Sequence, residues 1–435
     1  MSIFSYSHSQ TSAKFLKGID RFSLLNRYRK GLVIDGVSRI SVKDSMQGLI
    51  CLGSVGYGKS TAFVVPNLMK IRNASMYVID PSQELFNLCG EYLKKFFQVD
   101  CINTIDPDNS SHWCPLHSVK TREDAKMLAD AIVSSAFPQE TGSTRFWNES
   151  AKSLIYCLIV SVLNRPEQKT LQYVFNMLNR FNEHDKEELI KELSEHLDNE
   201  TWLEVKAIIS QPEKLFGSTV ATCRTALAPM ATETLKKVSS SNDIDFKGYR
   251  KKPSICFICV AENRVKEYGL YLSLLLKEIT DTLMIMPEKN DLNQFILYDE
   301  AGNIYCPKLA NFLTVARKRK VSVSLILQSM RQLRALYGND AETIIENTKH
   351  HIYLPGLSYS TTREISQKIG YKSDGNSTYF PTNKKKEGRS ALISPEAIRT
   401  LKNGRAIFLS GNMPAVLLKL RPWYKNFWLK LKLKK

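Results

Sequence analysis

Long hydrophobic runs are scarce in this chain. The longest uncharged apolar stretch covers residues 153–164, short of the roughly 18 residues a membrane helix needs. The opening segment MSIFSYSHSQTSAK is polar and carries no apolar core of a secretory signal. Neither a signal peptide nor a spanning helix is therefore expected. Glycine and proline are also few, 20 and 16 of 435 residues, far from the roughly 25–30% of low-complexity chains. Cysteine is sparse: nine residues, odd in number and scattered, whereas disulfide scaffolds run above about 8–10%. That usage fits a reducing compartment. Acidic residues are the minority charge, 43 against 61 Lys and Arg, for a net +18.

What is present is a folded, basic chain. Hydrophobic residues make up 43% of it, too many for wholesale disorder. At ~100–200 residues per domain the length predicts two or three domains. The charge is uneven. From Thr382 onward 14 basic residues face only Glu387 and Glu396, while residues 183–200 hold eight acidic residues against Lys186 and Lys191. Such asymmetry points to an anionic partner on one part of the molecule and a different partner on another.

Short apolar runs bounded by turn residues recur at 48–53, 76–80, 254–260, 295–300, 322–328, 351–356 and 405–410. Their continuous rather than alternating apolarity predicts strands buried on both faces, the parallel α/β arrangement. Between several of them lie helical patterns: Leu309, Phe312, Leu313 and Ala316 follow Pro307, and Arg317 to Lys320 supply cations at the helix end. From 121 to 249 strand signals give way to helices. The expected organisation is a nucleotide-binding domain in two parts, 1–120 and 250–435, the second ending in a basic tail, with an all-α domain inserted at 121–249.

One motif dominates. Gly53, Ser54, Val55, Gly56, Tyr57, Gly58, Lys59 and Ser60 fit G-x-x-x-x-G-K-[ST], after a predicted strand and before a helix that begins at Thr61. Glycines let backbone N–H groups turn inward around phosphate oxygens. The helix N-terminus adds a favourable dipole, Lys59 reaches the β- and γ-phosphates, and the Ser60 hydroxyl ligates Mg²⁺. Hydrolysis needs a second carboxylate site at the end of another central strand. Asp299 and Glu300, closing the 295–300 run, supply an Mg²⁺ ligand and a group to polarise water. Asp80 is the competing carboxylate, but Pro81 follows it and no second acid is adjacent. Gln328 ends the next strand, as a γ-phosphate sensor or a plain turn residue. The cluster Arg317 to Lys320 is either a solvated helix end or the source of an arginine finger for a neighbouring subunit.

The order GSVGYGKS, MYVIDPSQEL, SHWCPL, FILYDEAGNI, ARKRKVSVSLILQSMRQLRALYG and IIENTKHHIYL resembles the type IV secretion coupling proteins, the TraG/TraD class of conjugative DNA-pumping ATPases. Asp80-Pro81 with Glu84-Leu85, Leu327-Gln328-Ser329 with Leu336-Tyr337-Gly338, and Asn347 make the likeness specific. The resemblance implies a RecA-like P-loop NTPase core with a mainly parallel sheet, ATP and Mg²⁺ at subunit interfaces of a homo-hexamer, and a helical domain that meets a relaxase-DNA substrate. It assigns Lys59, Ser60, Asp299, Glu300 and Gln328 to the site and Arg317 to the trans arginine. Secretion-channel subunits and DNA are the implied partners. The chain departs from the usual family pattern at Val55, Tyr57, Ser82-Gln83 and Ala301, and it shows none of the N-terminal membrane helices most relatives carry. A form lacking that anchor, in the cytoplasm or peripheral at the inner membrane face, is the expectation.

The tail from Trp423 to Lys435 mixes aromatic and basic residues, which suit an anionic membrane surface or DNA phosphates. Its Leu-Lys alternation equally suits a protected sheet edge. Cys256 and Cys259, and the trio His112, Cys114 and His117, read as structural rather than metal-binding. Two other functions fit the motifs: a cytosolic HerA/FtsK-like DNA translocase, and a nucleotide-binding receptor that docks protein cargo without pumping DNA.

Overall fold

The structure is a computed structural model that describes residues 12–137, 142–165, 169–181, 186–373 and 389–433. The chain divides into two compact units. The first comprises Met1–Asn73, Phe295–Gly302 and Leu313–Lys435; the second comprises Ala74–Gln294 and Asn303–Phe312.

In the first unit β1 (Leu49–Leu52) lies between two parallel neighbours, β6 (Val321–Leu327) and β7 (His350–Tyr353). Every residue of these three strands is buried, the reason their sequences are apolar throughout instead of alternating. The order continues through β5 (Asn293–Tyr298) beyond β6, and through β10 (Arg405–Ser410) and β11 (Met413–Lys419) beyond β7. β10 runs antiparallel to both β7 and β11. A small antiparallel pair, β8 (Tyr371–Ser373) and β9 (Arg389–Ala391), stands apart.

The N-terminal segment is tied to this sheet by polar contacts that composition does not reveal. Asn67, fully buried, exchanges two hydrogen bonds with the Val33 backbone, at 2.8 and 2.9 Å. Ser322 on β6 donates to the Ser45 carbonyl at 2.7 Å. The Leu-Lys alternation after Asn426 forms a helix, Phe427–Leu433, rather than a strand. Asn426 caps it by accepting from Leu429 N–H, and β11 already occupies the sheet edge.

The second unit holds three parallel strands in the order β2 (Ala74–Asp80), β4 (Ser254–Cys259), β3 (Gln98–Asn103). Between β3 and β4 in the chain, the described residues form helices and single turns. Arg122–Ala136 starts on a capping box made by Thr121 and Asp124, and Gly142–Leu163 buries its run from Leu154 to Ile159. In Lys186–His196, Leu189 and Leu193 face the core, while Glu187, Glu188 and Glu195 are exposed. Cys256 and Cys259 point to opposite faces of β4: the Cys259 sulfur sits 3.7 Å from that of Cys101, and burial beside Asp100 pushes the Cys256 thiol upward. All nine cysteines are free and buried.

The helices of this unit are also joined by one ion triad. Glu192 accepts from Arg180 at 2.8 and 3.0 Å and from Arg165 at 2.9 Å, and the Arg165 side chain is only 5% exposed. The Arg180 contact, with Arg165, holds the Glu192 carboxyl at about 2. Because its folded value lies below the unfolded one, the stabilisation is complete above about pH 4.5 and fades as pH falls toward 2. Glu192→Gln replaces the charged acceptor of Arg165 and Arg180 by a neutral one, at a cost of about 2 kcal/mol, the range for a hydrogen bond to a charged group. Native-state hydrogen exchange at pH 7 is expected to show the Val174 and Leu193 amides losing about 30-fold in protection, and wild type is expected to lose the same protection as pH is lowered through 4 to 2.

Candidate functional site

Parallel pairing brings the C-terminal ends of β1, β5 and β6 to one edge of the first unit, and loops leaving that edge carry the chemical groups. Gly53 continues β1: its N–H donates to the Leu327 carbonyl at 3.1 Å, and a Cβ on it would stand 2.5 Å from that of Leu354. Gly56 and Gly58 take φ of +83° and +98°, the left-handed region where glycine costs least. Beyond Gly58 the chain starts a helix with a π turn, Lys59–Val64, before settling into α-helix at Val65–Lys70. Tyr57 finds room by lying against Gly356 in the loop after β7, where any side chain would collide with its ring. Ser54 donates to the Gly356 carbonyl.

Lys59 is 7% exposed and its Nζ donates to the carbonyls of Gly53 at 2.8 Å and Ser54 at 3.2 Å. The ammonium is thus stretched back over the loop's own cradle. Ser60 Oγ lies 3.5 Å from Asp299 Oδ2. Two donors ligating one Mg²⁺ at 2.0–2.1 Å in adjacent octahedral positions stand about 3 Å apart, so this pair fits the ion with little adjustment. Among the described residues no cluster of three or more His, Cys, Asp or Glu forms a metal cage. A site of one hydroxyl and one carboxylate suits Mg²⁺, which takes its other ligands from phosphate and water.

Glu300 follows at φ +53°, a left-handed conformation unusual for a side-chain-bearing residue. The next residue fixes it in place, since Ala301 N–H donates to Ile326 O on β6 at 3.0 Å. The Gln328 amide then grips the carboxylate, donating to both Glu300 oxygens at 2.8 and 2.9 Å. Lys59, Ser60, Asp299, Glu300 and Gln328 therefore meet at one edge.

Two sequence candidates lie elsewhere. Arg317 opens the exposed turn Arg317–Arg319 that precedes β6. Seven strand residues at 3.3 Å each put it about 20 Å from Gln328. Asp80 closes β2 in the second unit, where it is buried and accepts from Phe86 N–H at 2.9 Å. Burial pushes its carboxyl up to about 6. Residues with no motif of their own also build the site: Leu354 and Gly356, which shape the loop, and Asn67, which accepts the Val33 N–H and anchors the helix. Only their distant neighbours make them relevant, and no local pattern marks them.

VirD4 of Rhizobium radiobacter is 21% identical over 396 residues, covering 86% of this chain and 56% of its own length. VirD4 of Agrobacterium fabrum is 21% identical over 394 residues, covering 84% and 57%. The chain thus spans little more than half the length of these relatives. The plasmid coupling protein TrwB in complex with ADP and Mg²⁺ superposes with a TM-score of 0.74 at 18% identity, over 95% of this chain and 94% of that one. The likeness establishes the α/β RecA-like fold. Among the described residues no helix is long and apolar enough to cross a membrane. Residues 27–435 match the family described as type IV secretory system conjugative DNA transfer, and the chain belongs to that family.

Proposed function

We propose that this chain is an ATP-driven DNA-translocating coupling ATPase that links a relaxase-DNA substrate to a type IV secretion or conjugation channel. The observation that carries the reading is the meeting of Lys59, Ser60, Asp299, Glu300 and Gln328 at one sheet edge, in a chain of the conjugative DNA transfer family. TrwB, which shares the fold, is solved with ADP and Mg²⁺ and with a non-hydrolysable ATP analogue, and the loop here suits the same class of ligand.

In this mechanism the N–H groups from Gly53 to Thr61 cradle the phosphates, and Lys59 turns from the Gly53 and Ser54 carbonyls to the β- and γ-oxygens. Ser60 and Asp299 would hold Mg²⁺, whose charge would offset that developing on the phosphates. Glu300 polarises the attacking water, and Gln328 fixes the direction of that carboxylate. Arg317, too far from its own Gln328 edge, acts on the site of a neighbouring copy in a homo-hexamer. The basic residues concentrated after Thr382 and the acidic helical segment supply surfaces for DNA and for protein partners, respectively.

Peripheral contact with an anionic membrane completes the reading. Phe427, Trp428 and Leu431 are 71%, 68% and 52% exposed on one short helix, and Lys425, Lys430 and Lys432 border them. Aromatic rings at headgroup depth beside lysines are the chemistry that an acidic lipid surface retains.

Three outcomes are expected. Lys59→Ala abolishes DNA-stimulated ATP hydrolysis, and Glu300→Gln lowers kcat about 100-fold or more while ATP binding persists; undiminished hydrolysis by the first variant refutes the site. Arg317→Ala loses about 1,000-fold in kcat, yet mixing it with Lys59→Ala protein restores part of the rate, because each copy supplies what the other lacks; a mixture as inactive as its components refutes the trans arrangement. In vesicle flotation the full chain rises with anionic but not zwitterionic lipid, and replacing Phe427, Trp428 and Leu431 by serine prevents it; equal behaviour of the two proteins sinks the membrane contact.

A further inference from the structure

A loop that grips phosphates leaves the rest of a nucleotide unread. Nothing between Gly53 and Ser60 presents a flat apolar surface to a base except Tyr57, whose ring is already laid against Gly356. A nucleotide with its β- and γ-phosphates at Lys59 and its α-phosphate at the backbone N–H groups of the loop would carry its ribose and base past the first turn of the helix that begins at Lys59.

The chain segment that follows β11 lies along that turn. Leu420 N–H donates to Gly404 O and Arg421 N–H to Asp35 O, both at 2.8 Å. Gly36, at φ +90°, lies so close to the Arg421 carbonyl that a Cβ there would stand 2.0 Å from it. Leu420 Cδ1 comes within 3.9 Å of where a Gly58 Cβ would be. After Pro422 the turn Trp423–Lys425 passes with its Cα atoms within 8 Å of Lys59–Val64. The turn closes on itself: Lys425 N–H donates to Pro422 O at 3.0 Å and Asn426 N–H to Trp423 O at 2.9 Å. It holds two aromatic rings, Trp423 half-buried and Tyr424 47% exposed, set edge to face with centroids 5.9 Å apart.

We propose that the turn Trp423–Lys425 carries the aromatic surface that receives the purine base of the bound nucleotide, one ring of the Trp423–Tyr424 pair stacking face-on and the other, nearly perpendicular to it, bracing it edge-on. The proposal rests on the reading of Gly53 to Ser60 as a phosphate-binding loop and adds the determinant for the other end of the ligand. Stacking is indifferent to the exocyclic groups of the base. Adenine and guanine nucleotides therefore bind comparably, and pyrimidine nucleotides, with their smaller rings, bind less well.

Calorimetric titration of the full chain with MgADP and with magnesium pyrophosphate tests it, because pyrophosphate occupies the loop and has no base. Loss of one stacked base lowers affinity roughly 10-fold or more. The Trp423→Ala/Tyr424→Ala variant is expected to lose that factor for MgADP and to keep pyrophosphate affinity within about twofold, a result that also shows the loop is folded. Tyr424→Phe retains both. Unchanged MgADP affinity in the double alanine variant, with pyrophosphate still bound, overturns the platform and leaves the loop reading intact. Parallel loss of both ligands also overturns it, since the segment then acts on the loop and not on the base. If wild type binds neither ligand, the phosphate-loop reading fails, and the platform fails with it.

Discussion

The parallel pairing of β1 with β6 on one side and β7 on the other is the constraint on which the site depends. Parallel strands in register end at the same edge. Leu52 pairs with Leu327 and with Tyr353, so the glycine-rich loop from Gly53, Gln328 and the loop holding Leu354 and Gly356 all emerge together. No side-chain contact produces that convergence. It follows from backbone hydrogen bonding among three strands buried on both faces. The buried apolar residues of those strands determine where the polar groups stand.

Around that edge the backbone adopts conformations that only dense surroundings sustain. Gly56 and Gly58 reach the left-handed region without penalty, but Glu300 enters it with a side chain, which costs on the order of 1 kcal/mol or more. The hydrogen bond from Ala301 N–H to Ile326 O and the two hydrogen bonds from the Gln328 amide hold it there. The result is a carboxylate aimed by two neighbouring strands and not by its own rotamer preference. Lys59 shows the same principle with opposite charge: its ammonium is desolvated, and two loop carbonyls keep it extended across the cradle.

Much of this was legible in the sequence because it depends on local pattern. Continuous apolar runs marked β1, β2, β4, β5, β6, β7 and β10, and the G-x-x-x-x-G-K-[ST] spacing marked the loop whatever surrounds it. The helical character of the stretch after residue 121 was legible from periodicity, as in Leu189 and Leu193. Non-local features were not. The hydrogen bonds of Asn67 to Val33, the space that Gly356 leaves for Tyr57, and the packing of Leu354 where a Cβ on Gly53 would stand join residues up to about 300 positions apart. The Leu-Lys tail misleads for a related reason. Its period of two matches a strand, but Asn426 caps a helix and β11 already closes the edge.

Residue types and their spacing by themselves determined the class of fold and marked the G-x-x-x-x-G-K-[ST] loop and Asp299 and Glu300 as candidate site residues, because glycine torsions, lysine reach and strand burial are short-range properties. Tertiary structure decided which groups meet. It set Ser60 3.5 Å from Asp299 and gave Glu300 to Gln328. It left Arg317 about 20 Å from that edge, and it laid Trp423 and Tyr424 beside the loop helix. The physical reason is that strand pairing and loop closure act between residues far apart in the chain. A sequence specifies such contacts only through the packing of its whole core.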